Sequence, residues 1–246
     1  PSGKTSDIWL YDLTSGLRTR FTFDPANERT PIWSADGSRI VFSSNRKGHF
    51  DLYQKPSSGA GVEEVLVENG FEKQPLSWSS NGRHLLYAEQ SQGLDLWVLP
   101  LSGGQKNFPL IKSPFIELYG QYSPDGRWIA YDSNESGRDE VYVAPFPASA
   151  GKWQVSKAGG FFPRWRGDGR EIFYFSLDYK LMAAAVNGTA SSFEVGNVKR
   201  LFEPRAVQAY AVSHDGQRFL IISALGQTAS PSPIQVMLNW TSLLRK

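Results

Sequence analysis

Cysteine is absent from the 246-residue chain, which excludes disulfide bonds and thiolate chemistry. No apolar run approaches the length of a membrane-spanning helix, so we expect no membrane insertion by this segment. The formal net charge is only +2 and the basic residues are scattered. Since no basic run could follow a phosphate backbone, nucleic acid is not an expected partner.

Aromatic residues, in contrast, are plentiful: eight Trp, ten Tyr and fifteen Phe, which favour strands over helices. The segment 120–131 reads as two short apolar strands joined by a tight turn. Pro124 fixes φ near −65°, so the turn is expected to be type I with Gly126 in the left-handed region. The same pattern recurs at 33–37, 78–82, 165–169 and 212–216.

The spacing of these hairpins is nearly regular. Their glycines, all expected to have positive φ, are Gly37, Gly82, Gly126, Gly169 and Gly216, at steps of 45, 44, 43 and 47 residues. A period of this size with several strands per unit is typical of a β-propeller. Further strands are predicted to begin at Asp51, Asp95, Glu140 and Lys180, as third strands of their blades.

The two chain ends carry complementary strands. Segments 7–13 and 17–23 supply a third and a fourth strand, whereas the C-terminal region supplies a first, a second and a third strand, the last at 234–240. We therefore predict an all-β fold: a single β-propeller over 1–246 with four-stranded antiparallel blades, five in number, closed by both chain ends. Its parts are closing strands 1–23 and repeat units at about 24–69, 70–113, 114–157, 158–203 and 204–246. A six-bladed ring with one incomplete blade is the alternative.

The repeat also resembles that of a known family. The unit Pro-x-Trp-Ser-x-Asp-Gly-x-x-Ile-x-Phe, at 31–42, resembles the WD-like repeat of TolB-like propellers. Segments 133–137, 143–147 and 238–240 are similar to the C-terminal propeller of bacterial membrane-anchored serine/threonine kinases. The resemblance covers essentially the whole chain and implies a propeller that forms part of a larger envelope or signalling protein.

Catalytic and metal-binding motifs are not found in the sequence. There is no Gly-x-Ser-x-Gly elbow and no phosphate-cradling glycine loop. His49, His84 and His214 fall in different blades without metal-ligand spacing. Segment 132–137 imitates the start of a calcium loop, but its twelfth position is Val143 rather than Glu. We therefore predict no catalytic residue, no metal and no cofactor.

The recurring tryptophans are interpreted as packing between blades rather than as a sugar-stacking set. They are Trp33, Trp78, Trp128 and Trp165.

The loops that lead into the first strands differ from unit to unit, although the scaffold repeats. They combine both charge signs with aromatics, as protein and peptide sites do. The predicted binding rim of one channel mouth consists of Glu28, Arg29, Glu72, Lys73, Glu117, Tyr119, Phe161, Phe162 and Gln208.

The composition of this rim predicts a non-catalytic module that binds a protein or peptide. The resemblance to TolB-like propellers implies that the module works in the periplasm or otherwise outside the cytoplasm of a bacterium. A lyase or hydrolase with its active site in the channel mouth is one alternative. A structural remnant without its own ligand is another.

Overall fold

The computed structural model describes residues 5–147, 151–189, 192–204, 207–223 and 235–237. The chain divides into two compact units, 1–116 and 117–246, which are described in turn. Within every sheet the strands are antiparallel, and strands that follow each other in the chain lie side by side. Within the described residues no helix is long and apolar enough to span a membrane.

The first unit contains one two-stranded and two four-stranded sheets. The strands of the small sheet are β1 (Trp9–Tyr11) and β2 (Arg18–Arg20). The first four-stranded sheet comprises β3 (Glu28–Trp33), β4 (Arg39–Ser44), β5 (Asp51–Pro56) and β6 (Glu64–Val67). The second comprises β7 (Glu72–Trp78), β8 (His84–Gln90), β9 (Leu94–Pro100) and β10 (Phe108–Ile111).

The second unit contains two four-stranded sheets and one sheet with three strands among the described residues. The first comprises β11 (Glu117–Tyr122), β12 (Trp128–Ser133), β13 (Glu140–Pro145) and β14 (Trp153–Gln154). The next comprises β15 (Phe161–Trp165), β16 (Glu171–Phe175), β17 (Leu181–Gly188) and β18 (Phe193–Phe202). The last comprises β19 (Val207–Val212), β20 (Phe219–Ser223) and β21 (Gln235–Met237).

The core of each unit is formed mainly by the second and third strands of the sheets. Val41 and Phe42 are neighbours on β4 and point to opposite faces, yet both are fully buried. Ile129 and Ala130 on β12 repeat this pattern in the second unit. In the first unit, Phe42 packs against the cluster of Ile8 and Phe21, and Val41 against the cluster of Leu85 and Tyr87, so β4 lies between two neighbouring sheets, as its apolar character on both faces predicts.

The five predicted turns are confirmed. Their glycines have φ between 68° and 71°. In the turn at 33–37, the Gly37 N–H donates to the Ser34 carbonyl at 2.9 Å, and Asp36 accepts from the Ser34 hydroxyl at 2.6 Å and from the Ser38 N–H at 3.0 Å. Donation by Ser34 is the largest cause that lowers the pKa of Asp36 to about 2. The turn is thus stabilised by its own side chains.

The positive φ of the turn glycines predicts that replacing one of them by a β-branched residue destabilises the protein. An added Cβ at Gly82 would have no heavy atom within 4 Å, so the cost of Gly82→Val arises from its φ of 68° alone. We expect a loss of about 1–3 kcal/mol in the free energy of unfolding, measured by urea denaturation. Gly70→Val is the matched control, because Gly70 is equally open and lacks a positive φ. Equal losses in both variants would contradict the role assigned to the turn.

The tryptophan prediction requires one correction. Trp128 and Trp165 lie in one hydrophobic cluster of the second unit, and Trp78 packs partly buried against a cluster of the first. Trp33, however, is 55 % exposed. It is not a packing residue, because its side chain on β3 faces solvent rather than a neighbouring sheet.

Blade number and closure stay predictions. The segments assigned to closure, 7–23 and 234–240, belong to different units. Of 234–240, the structure describes only 235–237, as β21, which pairs with β20.

Candidate functional site

An irregularity recurs in the first strand of all five larger sheets. The pairing of β3, β7, β11, β15 and β19 with the next strand shifts register near the middle of the first strand. Such bulges bend a strand and redirect its side chains, and they are frequent next to functional sites.

Three of these bulges contain a non-glycine residue in the left-handed region. They are Thr30 (φ 53°), Tyr119 (φ 53°) and Phe162 (φ 58°), each three positions before the aromatic residue that ends its strand. This conformation is rare for bulky side chains and costs about 1–3 kcal/mol at each residue. Backbone strain of this kind is frequent at active sites and ligand-binding sites.

In the second unit, two strained residues meet. The rings of Tyr119 and Phe162 contact edge to face, with centroids 3.9 Å apart, and Phe161 lies 5.0 Å from Phe162. The Tyr210 hydroxyl donates to the carbonyl of Phe162 at 2.8 Å, which fixes the backbone at the bulge. We call Tyr119, Asp132, Phe161, Phe162, Arg164 and Tyr210 the bulge cluster.

Asp132 is the acidic member of the bulge cluster. It lies on β12 opposite Leu118 and is only 5 % exposed. Its Oδ1 is buried and has no hydrogen-bond partner among the described residues. Burial raises the pKa of Asp132 well above its ordinary value, and the nearby negative charge of Asp139 acts in the same direction. Its protonated form is therefore favoured relative to an exposed aspartate.

Arg164 is the basic member. It is half-buried on β15, and its guanidinium lies 5.6 Å from the centroid of the Tyr210 ring. Its Nη1 donates to the Pro163 carbonyl at 2.9 Å, the one hydrogen bond of this side chain within the described part of the chain. Burial lowers the pKa of Arg164, but an arginine remains charged at neutral pH.

The first unit brings two predicted rim residues together. Arg29 Nη2 lies 3.4 Å from Glu72 Oε2, and the Arg29 guanidinium stacks 3.5 Å from the centroid of the Phe50 ring. His49 Nδ1 is 3.8 Å from the other oxygen of Glu72. All of these side chains are at least partly exposed, so this patch is accessible to a partner.

Three other rim residues are buried, which changes their role. Glu28 accepts from the Ser44 hydroxyl at 2.9 Å and faces Arg46, and burial raises its pKa. Lys73 forms an ion pair with Asp51 at 2.8 Å. Glu117 accepts from the Ser133 hydroxyl at 3.3 Å. The sequence predicts all three at the surface, whereas they are at most 2 % exposed, and each holds a neighbouring segment of the chain through the contact just given.

Gln208 is exposed on β19, and no contact of its side chain with the other rim residues is found within the described ranges. Sequence reasoning missed Asp132, Arg164 and Tyr210. Comparison between the repeats offers a signal for Asp132. It is the sixth residue after its turn glycine, and the same place in the other units is occupied by Ser43, Ala88, Phe175 and Ile222.

Acidic residues at the start of the third strands anchor the loops that follow. Asp51 holds Lys73, and Asp95 accepts from the Ser113 N–H at 3.2 Å. Glu140 accepts from the Gly159 N–H at 2.9 Å, just before Phe161. In each case an acidic residue at the start of the third strand holds the loop that leads into the next sheet.

The structure also places the residues that imitate a calcium loop. Asp132 and Ser133 lie within β12, and Glu135 forms an ion pair with Lys152. In the described ranges no three His, Cys, Asp or Glu side chains are grouped so that they could hold a metal ion. His49 and His214 are exposed, whereas His84 is half-buried.

Comparison with a protein-family model supports the fold. Residues 2–105 match the model of the TolB beta propeller domain. An uncharacterized protein of Agrobacterium fabrum is 34% identical over 59 residues, which is 24% of this chain and 20% of that protein. The chain thus matches only a fifth of the length of this relative.

Solved structures agree with this assignment. TolB from Acinetobacter baumannii is similar with a TM-score of 0.71 and 19% identity, over 89% of this chain and 54% of that one. A puromycin-hydrolyzing peptidase of Mycobacterium tuberculosis has a TM-score of 0.61 and 19% identity, over 85% of this chain and 38% of that one. The chain therefore has the fold of a TolB-like β-propeller.

Proposed function

We propose that this chain is a non-catalytic binding module whose bulge cluster recognises a protein or peptide. The observation that carries the proposal is the pair of half-buried aromatic rings, Tyr119 and Phe162, both held in a strained backbone conformation. Rigid aromatics beside an arginine are the residue types that dominate binding energy at protein interfaces. Because the rings are fixed in advance, little side-chain entropy is lost on binding.

The strained bulges also argue against the alternative of a structural remnant. A packing role alone would be served by an ordinary extended residue at Phe162, without the conformational cost. The patch of Arg29, Phe50 and Glu72 in the first unit is proposed as a second, separate contact surface, because it combines an aromatic ring with both charge signs.

The enzymatic alternative, a lyase or hydrolase, would depend on Asp132, whose shifted pKa is a frequent property of active-site acids. An acid alone does not provide a nucleophile or a second proton-transfer group, and we therefore favour binding. The similarity to the puromycin-hydrolyzing peptidase is a similarity of fold and does not by itself support catalysis by this chain. We further propose that the module works outside the cytoplasm as part of a larger envelope or signalling protein, as the resemblance of its repeats implies.

The proposal is tested by selecting peptides from a random phage-displayed library on the wild-type chain and measuring the selected peptides by calorimetry. We expect Phe162→Ala and Tyr119→Ala to weaken binding by about 1–3 kcal/mol each. Trp33→Ala is the matched control, since it removes an aromatic side chain that is 55 % exposed elsewhere.

The thermal unfolding of each variant separates binding from folding. Phe162 also packs partly buried against the core cluster that contains Phe175 and Tyr210. If its role were packing alone, Phe162→Ala would lower stability by about 3–5 kcal/mol and leave the peptide affinity of the folded fraction unchanged. Peptides that bind equally well to all three variants would contradict the proposal.

A further inference from the structure

Within the part of the chain that the structure describes, the charged Arg164 of the bulge cluster forms no ion pair. Arg164 is half-buried, and among the described residues its guanidinium donates only to the Pro163 carbonyl. Several N–H groups of a guanidinium are left for another acceptor. Buried or partly buried charges are normally paired, so this arginine is the member of the cluster that most needs an anionic partner.

Asp132, the acidic residue whose charge acts on Arg164, does not form an ion pair with it in the described residues. Asp132 instead retains a buried oxygen, Oδ1, without a hydrogen-bond partner. A group that accepts from Arg164 and meets the Asp132 carboxyl would satisfy both side chains at once.

The aromatic residues next to Arg164 indicate which kind of side chain lies beside the group that binds the arginine. The ring centroids of Tyr119 and Phe162 are 3.9 Å apart, and both side chains are half-buried. Phe161 extends this apolar surface. An apolar or aromatic side chain is the ligand group that gains most from contact with such rings.

We infer, on the basis of the proposed function, that Arg164, Asp132 and the Tyr119–Phe162 ring pair form a site for a carboxylate flanked by an apolar side chain. Arg164 binds the carboxylate, and the rings hold the apolar group. Two sources provide this chemistry: the C-terminal carboxylate of a peptide, or the side chain of Asp or Glu within it. A protonated Asp132 adds no negative charge next to the ligand and can donate its proton to a carboxylate oxygen.

Three small probes test this site by NMR titration of the wild-type chain. N-acetylphenylalanine carries a free terminal carboxylate, and N-acetylphenylalanine amide lacks it. N-acetyl-Phe-Asp-amide carries a side-chain carboxylate. We expect at least one of the two probes with a carboxylate to bind saturably at concentrations up to about 10 mM. N-acetylphenylalanine amide, which has no carboxylate, should bind about tenfold or more weakly. Whichever acid binds more tightly identifies the source.

Variants locate the binding energy. Arg164→Gln should reduce binding of the acids by about tenfold and leave the amide unchanged. Arg164→Lys should restore part of the affinity, because it keeps the charge but not the planar donors. Arg170→Gln, an exposed arginine near the turn of the same sheet, is the matched control and should have no effect.

The pH dependence supplies a second readout. Asp132 ionises as pH rises through its raised pKa and then repels the ligand and competes for Arg164, so affinity for the acids should fall. Among the described residues, the other titratable groups that act on Asp132 or Arg164 are Asp139, Tyr119 and Tyr210. Burial raises the pKa of both tyrosines, which stay neutral in this range. Asp132→Asn should bind the acids and abolish this fall.

The outcomes distinguish the two proposals. Equal binding of acid and amide, or unchanged binding by Arg164→Gln, overturns the carboxylate site but leaves the proposed function intact if Phe162→Ala still weakens binding. No saturable binding of either acid to the wild-type chain also overturns the carboxylate site. If, in addition, the selected phage peptides bind Phe162→Ala and Tyr119→Ala as tightly as wild type, the proposed function fails as well.

Discussion

Deletion of residues 1–23 is expected to lower the melting temperature by about 10 °C or more, or to abolish cooperative unfolding. Ile8 and Phe21 are at most 4 % exposed and pack against Ile40, Phe42 and Tyr53. Loss of a large core side chain typically costs about 2–5 kcal/mol, so loss of both approaches the whole stability of a typical domain. Calorimetry measures the effect.

A second variant separates packing from closure. Ile8→Ala together with Phe21→Ala removes the core side chains but keeps strands β1 and β2. If these strands also close a blade, as the sequence predicts, the deletion should cost more than the double variant. It should also expose a sheet edge that self-associates, detected by analytical ultracentrifugation. An unchanged melting temperature and oligomeric state after the deletion would rule out closure.

Lys73→Met is expected to lower the free energy of unfolding by about 3–5 kcal/mol. Lys73 is 1 % exposed, and its Nζ donates to Asp51 Oδ1 at 2.8 Å and to the Phe71 carbonyl at 2.6 Å. Methionine fills a similar volume but leaves the Asp51 carboxylate buried without its cation. Urea denaturation gives the magnitude.

Two controls assign this loss to the buried charge. Lys73→Met combined with Asp51→Asn removes both charges and should recover a large part of the stability. Lys47→Met breaks an exposed pair, in which Lys47 Nζ lies 2.7 Å from Glu68, and should cause no measurable change. If Lys47→Met were as costly as Lys73→Met, burial would not be the cause.

The hairpins could be predicted from the sequence because their determinants are local. Gly126 marks the left-handed position of its turn, and Asp125 lies next to it with its acceptor oxygens. Alternation and strand length follow from the aliphatic and aromatic residues after each turn.

The bulges, in contrast, carry no local signal. Tyr119 and Phe162 belong to residue types that favour extended strands, and no glycine marks their left-handed conformation. The Phe162 carbonyl accepts a hydrogen bond from the Tyr210 hydroxyl, which comes 48 residues later in the chain. Local residue propensities do not reveal a contact between residues so far apart in the chain.

The burial of charged rim residues escaped prediction for a similar reason. Charged side chains in loops are usually exposed, so Lys73 was expected at the surface. Its partner Asp51 lies 22 positions earlier, in the sheet before. Glu28 and Ser44 are likewise 16 positions apart and meet only once β3 and β4 have paired.

The self-contained turns have a consequence for how the chain folds. In four of the five turns the hydrogen bonds that close the turn join residues at most five positions apart, as between Ser123 and Trp128. The turn at 165–169 differs, because the Gly167 N–H also donates to the His214 carbonyl at 2.9 Å. Every sheet pairs consecutive strands. Hairpins of this kind form in roughly 1–10 μs, whereas contacts between distant segments carry a larger loop-closure entropy and form later. We therefore expect the hairpins of each sheet to form before the contacts between sheets. Substitutions in the turns should slow folding, whereas substitutions in the bulge cluster should mainly accelerate unfolding.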